Sequence, residues 1–316
     1  MKKTGLKART ALGVVAMSMA GSLLMASQAK AVELWDPYLR GVFEGEPAGA
    51  LPPPGVYGEL DNYWTSYGNY LNNNGTKEPG HLSALVEVPI VIWVPGIKIL
   101  GADYAAAIGQ PFDFTKTKLF GHTGSGNWGT YNTILVPGML SWSLPDHLFV
   151  RTGLTILLND ASSTMGNVYK DTLTNGGAPS GNAYTTLQPD LGVSWLYNGW
   201  NLSVGTHYAL PVGGTKSAGI SYRTAPQFSA DYTITKTIGA WTAGLGGAQE
   251  NQFSRDTFSV NGISLPGRLT NNYSIGPIVG YQFANGVGVS AYWNHSFATK
   301  SDVAGDFFNL RLFTAF

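Results

Sequence analysis

Long stretches of this sequence alternate strictly between apolar residues and small or polar residues. Between positions 200 and 210 one set is Trp200, Leu202, Val204, Thr206, Tyr208 and Leu210, and the other is Asn201, Ser203, Gly205, His207 and Ala209. Residues 269–282 repeat the pattern, with Tyr273, Ile275, Val279 and Tyr281 in one set. A period of two places each set on one face of a β-strand. Aromatic residues at the strand ends are typical of barrels whose outer face contacts lipid.

The first 31 residues predict a secretory signal peptide. Four basic residues precede a stretch without charge from Ala11 to Ala29, and Ala29-Lys30-Ala31 has the small residues that a signal peptidase accepts. We therefore expect Sec-type export and cleavage near Ala31 and Val32. The alternative is an uncleaved membrane helix, but the apolar part is short and rich in small residues.

The composition after residue 31 excludes several classes of protein. The signal contains five basic and no acidic residues, so the rest of the chain has 14 Lys and Arg against 19 Asp and Glu. This negative net charge argues against nucleic acid as a partner. The absence of Cys excludes disulfides and thiol chemistry. Only 12% of residues are charged, and a second run of 18 apolar residues does not occur. Because backbone can cross a bilayer only as helices or as a closed barrel, the sequence predicts an all-β transmembrane antiparallel barrel.

The alternation predicts about 12 strands in up-and-down order. They cover 56–68, 81–93, 98–110, 127–144, 147–159, 184–198, 200–212, 219–236, 239–253, 268–283, 287–299 and 304–316. Connections after even strands are tight and those after odd strands are mostly longer, as expected for periplasmic turns and extracellular loops. An even number of strands predicts periplasmic termini. Residues 56–316 thus form the barrel, and residues 32–55 form a periplasmic segment that either enters the lumen or stays disordered.

The last strand carries alternating apolar residues up to an aromatic end. Phe308, Leu310, Leu312 and Phe316 are expected to face lipid, in a pattern that resembles the signal read by the barrel-assembly machinery. We expect that machinery, periplasmic chaperones and outer-membrane lipids as partners.

The same alternation turns a set of ionisable residues toward the lumen. They are Glu87, Asp103, Arg151, Asp190, His207, Arg223, Asp231, Glu250 and Arg311. Such groups either pair to brace the barrel or form a polar path for a solute.

Five prolines fall inside even-numbered strands: Pro89, Pro137, Pro189, Pro226 and Pro277. Each lacks a backbone donor, so the sequence predicts a bulge at each position. The bulges either bend the strands or weaken the wall enough for apolar solutes to leave laterally.

The sequence contains only weak matches to catalytic motifs. Gly124–Gly129 fits a dinucleotide-binding glycine pattern but lacks the strand and helix that such a site needs. His81 and Ser83 have the spacing of a catalytic pair, yet the apolar residues between Leu82 and Ile92 predict a lipid-facing side that would turn the pair into the lumen. We therefore predict no catalytic residues, no metal site and no cofactor.

Most of the chain after the signal resembles the outer-membrane transporters associated with the meta-pathway of phenol degradation. The resemblance is carried by LPPPGVYGELDNYWTSYGNYLNNNG, PDHLFVRTGLTILL, SYRTAPQFSADYTITKTIGAWTAGLGG and SIGPIVGYQFANGVGVSAYWNHSF. It implies a porin-like barrel in a Gram-negative outer membrane that takes up small hydrophobic or aromatic molecules passively. Residues 160–183 depart from the family pattern. The alternatives are a plugged structural or adhesion barrel and, more remotely, an enzyme on a barrel.

Overall fold

A computed structural model describes residues 35–119, 122–124, 128–162, 179–217 and 219–316. The predicted signal peptide lies outside the described residues. In the described part, 12 antiparallel strands form one closed barrel, which confirms the predicted fold. The strands are β1 (Gly55–Leu71), β2 (Lys77–Val94), β3 (Ala102–Gly109 and Phe112–Leu119), β4 (Trp128–Thr130 and Ile134–Leu144), β5 (Leu148–Leu157), β6 (Thr185–Tyr197), β7 (Trp200–Val212), β8 (Gln227–Ile238), β9 (Trp241–Gln252), β10 (Asn271–Gln282), β11 (Gly288–Lys300) and β12 (Asp302–Ala315).

The first and last strands close the cylinder. β1 pairs with β12 from Tyr57 opposite Ala315 to Leu71 opposite Asp302, so neither strand keeps a free edge. Within the described residues, helices long and apolar enough to cross a membrane are absent.

The two ends of the barrel differ in their connections. At the short-turn end the strands are joined by tight turns, such as Asn198-Gly199, where both residues have positive φ. A Cβ on Gly199 would lie 2.4 Å from the carbonyl oxygen of Thr237, so this two-residue hairpin requires glycine. At the opposite, long-loop end a second, four-stranded sheet is formed by Thr215–Ser217, Ile220–Arg223, Thr257–Val260 and Ile263–Pro266.

Three of the predicted strands are divided. The strand predicted over 98–110 separates into Lys98–Ile99 and Ala102–Gly109, and β3 then continues over Phe112–Leu119. The strand predicted over 219–236 separates into Ile220–Arg223 of the second sheet and β8, with Pro226 just before β8. The strand predicted over 127–144 is interrupted at 131–133. The last two irregularities lie toward the long-loop end, where the chain leaves the regular ladder.

The predicted bulges do not occur at all five prolines. Pro137 lies in a register shift between Leu135 and Gly138. Pro89 faces the interruption of β3, but the register is the same on both sides of it. Beside Pro189 and Pro277 the pairing to one neighbouring strand is omitted and then resumes without a shift. A strand residue directs its N–H toward only one neighbour, so proline deletes one rung without inserting a residue.

The prediction of which face of β2 points toward lipid is wrong. Leu82, Ala84, Val86 and Val88 are buried inside the barrel, whereas the alternate set that includes Val91 and Trp93 is exposed on the outside. His81, Ser83 and Glu87 belong to the outward set. Both faces of β2 are apolar, so alternation alone could not distinguish the lipid side from the luminal side.

Candidate functional site

Residues 35–51 run through the interior of the barrel, and we call them the luminal segment. It begins at the long-loop end, where Trp35 Nε1 donates to the carbonyl oxygen of Pro179 at 3.1 Å. It reaches the short-turn end through Gly49, whose N–H donates to Ser194 Oγ at 2.7 Å. A Cβ on Gly192 of β6 would lie 1.9 Å from the carbonyl oxygen of Ala48. Glycine is needed there because the two backbones approach so closely.

One side of the lumen holds the segment through polar groups, and we call it the polar wall. Its members face inward from β1, β8, β9, β11 and β12, namely Tyr63, Asp231, Thr233, Glu250, Tyr292, Asn294 and Arg311. Asp231 accepts from the backbone N–H groups of Gly41 and Phe43, each at 3.1 Å, and from the Tyr38 hydroxyl. Backbone groups that have no strand partner are therefore satisfied by barrel side chains.

Arg311 is the most heavily used member of the polar wall. Its guanidinium lies 3.0 Å from Asp61 Oδ1 and 3.5 Å from Glu59 Oε1, both on β1, and 3.2 Å from Glu46 Oε1 of the luminal segment. It also donates to the carbonyl oxygens of Glu44, at 3.0 Å, and Val42. One buried cation thus joins the barrel closure to the luminal segment.

A second buried cluster lies nearer the long-loop end. Asp36, Glu250 and Asp302 place carboxylate oxygens within 4.8 Å of one another, a spacing that could hold a metal ion. The guanidinium of Arg40 lies between them, with Nη2 2.6 Å from Glu250 Oε2 and 3.9 Å from Asp36 Oδ2. Because Arg40 already supplies positive charge there, the arrangement is that of a salt-bridge network.

Arg268 connects this cluster to the second sheet. Its guanidinium lies 3.3 Å from Asp36 Oδ1 and 3.3 Å from Asp256 Oδ2. Asp256 also accepts from the Tyr222 hydroxyl and, at 2.9 Å, from the Ala225 N–H. Burial raises the pKa of the Tyr222 phenol well above its usual value, so the hydroxyl remains protonated as a donor at neutral pH.

The opposite side of the lumen is apolar, and we call it the apolar wall. It consists of Val86, Val88, Ile90 and Ile92 on β2, Ala107 on β3, and Ile134, Val136 and Met139 on β4. Between it and the luminal segment lies a cavity of about 140 Å³. The segment contributes Leu39, Val42 and Phe43 to the lining. The cavity is thus lined mainly by apolar side chains, with Glu46 and Glu59 also in the lining.

One end of the cavity is polar. Arg151, Gln188, Asp190 and His207 all line it. Arg151 Nη2 lies 3.6 Å from Asp190 Oδ1, and the Gln188 amide lies 3.4 Å from His207 Nδ1. The His207 ring stacks on Tyr38, with ring centroids 4.4 Å apart.

Three buried atoms at this end lack a hydrogen-bond partner among the described residues. They are Arg151 Nε, Gln188 Oε1 and Asp190 Oδ1, the last of which has only the 3.6 Å ion pair with Arg151. Buried polar atoms in folded proteins are nearly always hydrogen-bonded, so these three mark the part of the cavity with unused donor and acceptor capacity.

Seven of the nine predicted lumen residues face inward. Arg151, Asp190 and His207 meet at the cavity, whereas Asp231, Glu250 and Arg311 bind the luminal segment. Asp103 pairs with Ser141 on the inner face but lies near the short-turn end, 2.7 Å from Lys98.

Two of the nine predictions are wrong. Glu87 faces outward beside Phe112, because the prediction exchanged the inner and outer faces of β2. Arg223 is exposed on the second sheet, because its predicted strand is divided.

Sequence reasoning missed Glu59 and Asp61, although both follow the two-residue period of β1 with Tyr57 and Tyr63. It also missed Asp36, Arg40 and Glu44, which lie on an irregular segment without any periodic signal.

The predicted outer face of β12 is observed. Phe308 and Leu312 are exposed, and Phe316 is 83% exposed. Leu310 lies on the same face, and the ring of Phe308 lies 5.5 Å from that of Trp64. Recognition of this strand by the barrel-assembly machinery stays a prediction.

The sequence matches the model of the family described as "MetA-pathway of phenol degradation" over residues 64–312. The chain belongs to this family. A search of curated protein sequences finds no match. The family match therefore covers most of the barrel, including the apolar wall and every member of the polar wall except Tyr63.

Among solved structures, an outer membrane channel from Pseudomonas putida F1 is similar with a TM-score of 0.72 and 11% identity, over 86% of this chain and 100% of that chain. The translocator domain of the autotransporter NalP from Neisseria meningitidis has a TM-score of 0.47 and 9% identity, over 85% and 91%. A mutant of the TodX monoaromatic hydrocarbon channel has a TM-score of 0.43 and 12% identity, over 86% and 93%. The first likeness supports the fold of an outer-membrane barrel, and the other two are too low to bear on function.

Proposed function

We propose that this protein is a channel of the bacterial outer membrane that passes small hydrophobic or aromatic molecules passively. The observation that supports it is the apolar cavity inside the barrel, beside a luminal segment that is anchored on the opposite side. A lumen lined for water and ions would instead present polar groups all around. The family match and the similarity of the fold to an outer membrane channel from Pseudomonas putida F1 favour the same function.

The unequal walls suggest how a solute passes. On the polar wall the segment is held by directional hydrogen bonds and ion pairs. On the apolar side Leu39 packs against Val86 and Val88 without directional bonds, while Val42 and Phe43 line the cavity. Such contacts can re-form around an apolar solute at little cost. The solute therefore moves along the apolar wall while the polar wall keeps the segment in place.

Uptake into liposomes tests the proposal. The exported chain would be reconstituted, and uptake of phenol and toluene compared with that of glucose and glycine, against protein-free liposomes. We expect faster uptake of the aromatic compounds and little effect on the sugar. Equal rates for all four solutes would indicate a general pore instead.

A plugged structural barrel remains the second candidate, because the luminal segment spans the interior from Trp35 to Gly49. Planar-bilayer recording distinguishes the two. A plugged barrel would show neither ion current nor solute-dependent changes of current, whereas a channel would show current that aromatic solutes modulate.

A further inference from the structure

We infer that the outer face of β2 and β3, at the long-loop end, binds the phosphate group of a phosphorylated glycolipid in the surrounding outer leaflet. The site consists of His81 on β2 and of Lys116 and Lys118 on β3, and we call it the basic patch. The inference goes beyond the proposed function, because it concerns the lipid around the barrel and not a solute inside it. It rests on the proposed location of the barrel in the outer membrane.

The pairing of the strands brings the three side chains of the basic patch together. Lys118 pairs directly with His81, and Lys116 lies two residues away on the same face of β3. Side chains two residues apart on a strand are separated by about 7 Å, and directly paired ones by about 5 Å. All three side chains are exposed, as is Thr123, which pairs with Lys118 on its other side. One phosphate group can therefore contact both ammonium groups.

The basic patch begins where the lipid-facing band of the barrel ends. Toward the short-turn end this outer face carries apolar residues as far as Trp93, with Glu87 as an exception. Ten residues separate Trp93 from Ser83, which is about 33 Å along a strand and about 25 Å along the membrane normal at a tilt of about 40°. This is the height of the apolar band of an outer-membrane barrel. Lys116 pairs with Ser83 and so lies at the level of the lipid headgroups.

Aromatic side chains join the basic patch to the apolar band. The Lys116 ammonium lies 5.3 Å from the centroid of the Phe114 ring, and this ring lies 5.7 Å from that of Trp128. Trp128 is 60% exposed. Aromatic rings of this kind lie at the boundary between acyl chains and headgroups. The surface therefore offers apolar contacts to acyl chains and, directly beside them, positive charge to a headgroup.

The charge of the basic patch favours a phosphate monoester. Within the described part of the chain, neither Lys116 nor Lys118 has an ion-pair or hydrogen-bond partner. Asp306, an acidic residue on the same outer face, pairs with His295 at 2.9 Å. A phosphate monoester carries a charge of about −1.5 to −2 at neutral pH, whereas the diester of a common phospholipid carries a single negative charge. Two free ammonium groups therefore match the monoester of a phosphorylated glycolipid.

Lipid binding to the full exported chain in detergent tests the inference, with native mass spectrometry as the readout. The probes are diphosphoryl lipid A, the same lipid without its phosphates, phosphatidylglycerol and inorganic phosphate. We expect saturable binding of diphosphoryl lipid A, with an affinity about 25-fold lower for the dephosphorylated lipid and about fivefold lower for phosphatidylglycerol. Equal affinities for the three lipids would overturn the inference. Inorganic phosphate that binds as tightly as lipid A would also overturn it, because the patch would then recognise a soluble anion.

Paired substitutions locate the site. Lys116→Gln combined with Lys118→Gln should lower the affinity for diphosphoryl lipid A about 25-fold, whereas arginine at both positions should retain it. Lys98→Gln combined with Lys236→Gln is the matched control, because it removes the same charge at the short-turn end. Lys236 there lies 5.3 Å from the Trp200 ring, the same distance as between Lys116 and Phe114. Equal losses in the two glutamine pairs would reduce the effect to net charge and reject the patch.

Lipid binding and solute transport are measured separately. Binding of lipid A that depends on Lys116 and Lys118, without uptake of aromatic solutes, would keep the basic patch and reject the channel. Uptake in a protein that binds the dephosphorylated lipid as tightly as lipid A would keep the channel and reject the patch.

Discussion

The two walls of the lumen hold the same segment in different ways. The polar wall uses charged and hydrogen-bonding groups that fix individual atoms of the luminal segment, as Asp231 does for the N–H groups of Gly41 and Phe43. The apolar wall contacts the other side of the segment through aliphatic side chains and leaves a cavity of about 140 Å³. The difference shows that one interior can fix a segment on one side and leave a mainly apolar cavity on the other.

The largest expected effect comes from Arg311 on the polar wall. In Arg311→Met, Glu59 and Asp61 lose their cation while remaining buried, so the free energy of unfolding should fall by about 3–5 kcal/mol. Urea unfolding in detergent measures it. Arg223→Met is the matched control, because Arg223 is exposed on the second sheet, and it should change stability by less than about 0.5 kcal/mol. Equal losses in the two variants would contradict the role of the polar wall.

Asp231→Ala should lower the free energy that holds the luminal segment in the barrel by about 3 kcal/mol, because two backbone donors and Tyr38 lose a common acceptor. The chain has no Cys, so Ala50→Cys can report exposure of the segment through maleimide labelling. Labelling should become about a hundredfold faster in Asp231→Ala. Tyr232→Phe on the outer face should label at the original rate, and an unchanged rate in both would show that Asp231 does not hold the segment.

Substitutions at two glycines distinguish a clash with the backbone of the segment from a clash with one of its side chains. In Gly192→Ala the new Cβ would lie 1.9 Å from the carbonyl oxygen of Ala48, whereas in Gly246→Ala it would lie 2.1 Å from Glu44 Oε2. A carboxylate can rotate away, but the segment backbone cannot. We expect Gly192→Ala to cost about 1–3 kcal/mol and to speed labelling at Ala50→Cys, with a smaller effect of Gly246→Ala. The reverse order would show that the segment moves more easily than its carboxylate.

The smallest effect is expected on the apolar wall. Val88→Ala enlarges the cavity and should cost about 1–2 kcal/mol. Because Val88 does not anchor the segment through polar bonds, labelling at Ala50→Cys should stay unchanged while larger aromatic solutes gain entry to liposomes. Faster labelling would show that the two walls act as one.

Much of this architecture could be predicted from the sequence, because the two-residue period of a half-polar strand determines both the strand and its inner face. That period located Arg151, Asp190, His207 and Arg311 correctly. It failed for Glu87, since both faces of β2 are apolar when the lumen itself has an apolar wall. The contacts of Asp36, Arg40 and Glu44 could not be found, because they depend on where an aperiodic segment lies inside the finished barrel.

The residues that join the first and last strands of the barrel also hold the luminal segment. Arg311 on β12 lies directly opposite Asp61 on β1, and the same guanidinium binds the chain that passes through the middle. The contacts of Arg311 are therefore complete only when residues 42–46 lie inside the barrel. A barrel without the segment would still pair Arg311 with the two acids of β1 but would lack the carbonyl groups of residues 42 and 44, so barrel closure and the position of the segment stabilise each other.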